Sequence, residues 1–342
     1  MCFSQNNLEE KNKMKRPIIF LLFMFLINTS WGQDYIEYHR VFNRIDEDVL
    51  SENYHLAMER LDSIYLAYEF IYAKHCIKAL QICITANDSI KADKWLEKCF
   101  KQGIPMWIIR TNEITNKSLT YSTTQKTLNN FDSLHSIYKA SIDTNLRKRI
   151  DSLLTIDQKY TRKVNDGFVL FIPFYWLQWG IYNKRQFKQL KQIIETYGYP
   201  EEKLFGLSNI QDSVAFAKHF IFWGPSELRD ARVQIMLQHC YSTWYKIDFD
   251  FKDTLYENLR NGNMPAFQYA LIIDVMLPDK PKYINDKYWL KGAFCSANCN
   301  EIINRNRYSI GLNTSEQEKR NTLLERERRK NKRANSEIML EY

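Results

Sequence analysis

Glycine and proline are scarce, with 10 and 8 in 342 residues. A chain so poor in turn formers does not favour a turn-rich β-sandwich; it favours helices. Also missing are the short motifs of several enzyme classes. There is no glycine-rich phosphate loop, no Gly-x-Ser-x-Gly and no His-Glu-x-x-His, which lowers the expectation of an enzyme without closing it. Strong charge is missing from the body of the chain, although the formal net charge is +8. Residues 1–33 carry four basic and two acidic side chains, Lys319–Arg333 eight and two, and the last nine residues two acidic ones, which leaves the body at +2. A nearly neutral body is no electrostatic footprint for nucleic acid. The sequence points to no cofactor and no resident metal.

What is present is enough for a packed core: 45% hydrophobic and 26% charged residues. The expected class is all-α. The first 32 residues read as a signal peptide. Lys13, Lys15 and Arg16 precede the apolar run Pro17–Ile27, and Ser30-Trp31-Gly32 offers small residues for a cut before Gln33. Eleven apolar residues are too few to span a bilayer, which takes about twenty. The expected location is therefore the periplasm or the cell surface. Of seven cysteines, Cys2 leaves with the signal. Cys295-Ser-Ala-Asn-Cys299 permits a local disulfide and is weak as a metal motif.

Residues 33–145 look like tetratricopeptide-like helical hairpins. Ala57, Leu61 and Ile64 in an expected helix Ser51–Tyr65 recur as Ala92, Leu96 and Cys99 in Ser89–Lys101, an offset close to the tetratricopeptide period of about 34. Cys76, Ala79, Leu80 and Cys83 form one helical face. Cys76, Cys83 and Cys99 therefore read as small buried hydrophobes. Helices Thr127–Ser141 and Leu146–Lys163 are the expected neighbours for these units.

Residues 146–312 are expected to form a further helical domain, and 313–342 a basic tail. Within it, Phe168–Tyr182 is a run of fifteen apolar and aromatic residues with one amide, Gln178. It reads first as a buried connection in the core; an exposed partner-binding patch and an interfacial membrane contact are the alternatives. Gln158, Trp176 and Trp179 are the expected binding residues. Further expected helices are Gln211–Phe222, one from Ser226 to about Tyr245, Lys252–Arg260 and Pro265–Met276. His75 and His219 read as core histidines.

The run Asp157-Gln158-x-x-x-Arg162 resembles the signature of a family of uncharacterised secreted bacterial proteins of Bacteroidetes type. The resemblance continues through Asn183, Gly198-Tyr199-Pro200, Gly206, Gln238-His239, Asp274, Asn304, Arg307 and Gly311-Leu312. It covers roughly 147–312 and implies a helical fold but no reaction. Where the family often has Asp-Arg and Tyr-Gly-Thr-Gln, this chain has Asp274-Val275 and Tyr288-Trp289-Leu290-Lys291. Asp157, Arg162, His239 and Asp274 could do acid–base work if they meet, with a carboxylate orienting the imidazole. The same residue types also make buried networks that fix helix register. The leading expectation is a helical binding or scaffold protein with a protein partner. A hydrolase-like or ligand site around Asp157, Arg162 and His239 is the alternative, and weak membrane-surface contact through the basic tail a third.

Overall fold

A computed structural model of the chain describes residues 33–207, 231–242, 251–276 and 299–331. Residues 1–32, His219, the expected helix Gln211–Phe222, Cys295 with its expected bridge to Cys299, and 332–342 lie outside them. Every regular element among the described residues is helical, and the chain from Tyr35 onward is one compact unit. The sixteen α-helices among the described residues are α1 Tyr35–Leu50, α2 Tyr54–Ala67, α3 Ala73–Thr85, α4 Ser89–Lys101, α5 Met106–Thr111, α6 Glu113–Asn116, α7 Gln125–Asn129, α8 Phe131–Ser141, α9 Thr144–Asp166, α10 Ile172–Tyr197, α11 Glu202–Phe205, α12 Arg232–Ser242, α13 Phe251–Arg260, α14 Ala266–Met276, α15 Cys299–Ser309 and α16 Ser315–Asn331. Short 3-10 turns fill Lys117–Thr120 and Val169–Phe171. Among the described residues, no helix is long and apolar enough to cross a membrane.

Helix starts follow capping chemistry. Asn53, Asp88 and Asp143 each accept a backbone N–H of the first turn of α2, α4 and α9. The second helix starts later than expected because α1 runs to Leu50 and the chain then turns through Glu52, at φ 58°. Ala57, Leu61, Ile64, Ala92, Leu96 and Cys99 are all buried, as are Cys76, Ala79, Leu80 and Cys83. The expected helix Thr127–Ser141 is broken in two, with Asn130 standing between α7 and α8.

α1, to which the patterns above assign no element, joins two cores. Tyr35, Tyr38, Phe42, Ile45 and Val49 face the first, built on α2–α4. Ile36 enters the second, built on α9, α10 and α12–α14. Between the halves, Glu202 Oε1 accepts Ala73 N–H at 2.6 Å and Gln102 Nε2 at 2.9 Å. Within the first core, Tyr38 Oη meets His75 Nδ1 at 2.7 Å and His75 stacks on Phe42, so His75 is a core histidine. The Lys78 ammonium meets Asp46 at 2.6 Å, and both side chains are buried.

Two predictions follow from this interior. Asp46→Ala strands the Lys78 ammonium away from water and should cost about 3–5 kcal/mol in urea unfolding. Asp46→Leu combined with Lys78→Met should cost far less, and equal losses would contradict the pairing. The second concerns alkaline pH. Burial pushes the Tyr38 and Tyr138 phenols up, holds the Cys76 and Cys99 thiols well above their ordinary value, and raises Cys83 to about 12. The folded protein keeps these groups neutral while the unfolded chain loses their protons from about pH 8.5 upward. Deprotonation therefore favours unfolding: stability should be full below that pH and fall as pH rises beyond it. A melting temperature unchanged between pH 7.5 and 10.5 would contradict this.

Candidate functional site

α9 and α10 pair as an antiparallel hairpin. Asp157 stands opposite Trp179, and the Leu153 carbonyl accepts Tyr182 Oη at 3.0 Å and Gln186 Nε2 at 3.2 Å. Gly167 turns the hairpin where no side chain fits, since a Cβ there would come within 2.2 Å of the Lys163 carbonyl and 2.7 Å of the Tyr175 ring. α12 packs across both helices. Asn183 on α10 donates to the His239 carbonyl at 3.2 Å, and Cys240 Sγ to the Asn183 carbonyl at 3.5 Å.

At this three-helix junction Asp157 is fully buried. Its Oδ2 lies 2.7 Å from His239 Nδ1 and accepts Gln158 Nε2 at 3.1 Å, while its Oδ1 accepts Trp179 Nε1 at 3.4 Å. The His239 side chain is 23% exposed and meets the Trp179 ring edge-on at 5.1 Å. Burial, and after it the Asp157 carboxylate, raises both the Tyr182 phenol and the Cys240 thiol. Both groups stay neutral donors in the physiological range.

Four of the residues named from sequence therefore meet: Asp157, Gln158, Trp179 and His239. Trp176 stands beside Trp179 at 5.2 Å but is exposed. Arg162 is exposed and donates to the Gln158 carbonyl. Asp274 is buried on α14 and is not among the side chains bonded to Asp157. Other residues of the family-like order serve turns. Tyr199 N–H donates to Asn258 Oδ1 and Tyr199 Oη to Gln268. Asn304 accepts Ser315 N–H, and Arg307 donates to the Asn313 carbonyl and pairs with Glu318. The basic tail is not a frayed end at its start, since Arg320 pairs with Glu47 on α1 and Asn321 is buried.

The aromatic run departs from its first reading as a buried connection. Phe168, Val169 and Leu170 are 66%, 74% and 77% exposed. Phe171, Phe174, Trp176, Leu177 and Ile181 are exposed as well, and only Trp179 is turned fully inward. The physical reason is position. α12 reaches the hairpin at the level of Asp157, Trp179 and Asn183, and the run continues past that level to the hairpin's end. Composition alone did not mark which residues of the run would lie beyond the packing.

No match to this chain is found among family models, curated proteins or solved structures.

If Asp157 is structural, Asp157→Ala removes the partner of a partly buried imidazole and a buried indole and should cost about 3 kcal/mol, with a melting temperature lower by several degrees. His239→Ala should lose less, because its ring is partly wet. Unchanged melting temperatures in both would show that the pair is kept for chemistry instead.

Proposed function

We propose that this is an exported helical binding or scaffold protein that docks through the apolar end of the α9–α10 hairpin. The observation that carries this reading is the exposure of Phe168–Phe171, with Phe174 and Leu177, at the end of the α9–α10 hairpin. A contiguous apolar patch of this kind marks an interaction site more often than a monomer surface. The signal-like N-terminus supports export to the periplasm or cell surface. The matching buried positions Ala57 and Ala92, with small residues where helices close on one another, support tetratricopeptide-like stacking of α1–α4 as the scaffold. The two apolar cores support a division of the body near residue 145.

A second reading has one observation in its favour. The Asp157–His239 contact is the arrangement in which a buried carboxylate orients an imidazole for acid–base work, so a small-ligand or hydrolytic site there is the alternative. Arg162, on the outer face of α9, takes no part in that pair.

The docking reading is tested by replacing Phe174 with a photoactivatable phenylalanine analogue in the producing cell, using exposed Leu66 as the control site. Adducts at position 174 and not at 66 are expected. Equal or absent labelling at both sites would remove the reading.

A further inference from the structure

Resting on that docking role, we propose that the hairpin end seats in an anionic lipid surface. Phe168–Phe171 enter the boundary between headgroups and acyl chains, and Lys159, Arg162 and Lys163 hold the headgroups. Charge is the first argument. From Gln158 to Lys188 there are six cations, Lys159, Arg162, Lys163, Lys184, Arg185 and Lys188, against one acidic side chain, Asp166, and all seven are exposed. Two copies of this end would repel each other, so the complementary partner is negative.

Depth is the second. At 1.5 Å per residue, Lys163 and Lys159 stand about 5 and 10 Å behind the end of α9. That matches the roughly 5–10 Å to which interfacial elements bury their apolar face. Trp176 and Tyr175 lie about 5 Å into α10 on the same count, the level at which amphipathic rings occupy membrane interfaces.

Backbone chemistry is the third. A segment entering lipid must satisfy its own amides. Phe171 N–H donates to the Phe168 carbonyl at 2.8 Å, and Ile172 N–H to the Val169 carbonyl. Pro173, in the first turn of α10, removes one of the donors a helix start leaves unpaired. The end thus pairs two of its own amides within a compact turn, which suits a fluid apolar phase better than a strand-pairing or extended-peptide partner.

The test is co-sedimentation of the chain from Gln33 with vesicles of phosphatidylethanolamine and phosphatidylglycerol, and with phosphatidylcholine alone. Binding to the anionic vesicles is expected, with little to the neutral ones. Arg162→Glu with Lys163→Glu should weaken it at least tenfold, from about fivefold per neutralised cation near such a surface. Phe168→Ser with Leu170→Ser and Phe171→Ser should abolish it at an unchanged melting temperature, since these side chains lie outside the core. Binding lost with Lys330→Glu and Lys332→Glu but kept in both hairpin variants would assign contact to the tail and overturn the proposal. No vesicle binding, with adducts still formed on a protein at position 174, would overturn the lipid assignment and leave the docking role standing. Loss of both would remove the two together.

Discussion

A carboxylate taken fully out of water has to be met by donors, and in this protein the donors to Asp157 come from three places along the chain. Gln158 is its neighbour on α9, Trp179 lies on α10 and His239 on α12. Because each contact is directional, the three helices can meet in one register only. A shift of α10 by one residue would turn the Trp179 indole about 100° away and leave the carboxylate short of a donor. That register also decides which part of the aromatic run is buried. Trp179 turns in at the junction, while Phe168–Phe171, Phe174 and Leu177 continue beyond it into solvent. The exposed end and the buried junction are two consequences of one constraint.

The helical class and much of the first half were legible because their apolar positions recur at the helical period and nothing tertiary competes with that signal. Ser89–Lys101 begins at a capping aspartate and ends at the expected residue, and the small residues Ala57 and Ala92 fall where helices pack closely. α1 was not legible. Its buried set includes His39 and Asp46, and a helix that feeds two cores carries polar groups on faces a one-sided pattern would leave wet. Lys78, the partner of Asp46, lies 32 residues away, a separation no local pattern reports.

The site shows the same division. Arg162 follows Asp157 by five residues, about 140° further round the helix, so spacing alone already places it on another face. His239 is 82 residues from Asp157, and only the packing of α12 on the hairpin brings the two together. The aromatic run was visible as composition, yet the same side chains suit a core or a surface. The geometry of the hairpin's end made the difference. The family-like order of residues reads, at Tyr199, Asn304 and Arg307, as a set of turn and cap contacts. In this chain those residues hold turns and helix ends and do not gather around Asp157.

Docking through the hairpin requires its apolar end to stand in water in the folded chain. That is measured directly by the alkylation rate of Leu170→Cys, followed at the peptide that carries residue 170, with Cys240 as the buried internal reference. A rate close to that of an unstructured thiol is the expected result. A rate as slow as that of Cys240 would mean that the end is covered in the folded chain, and the docking role would lose its basis.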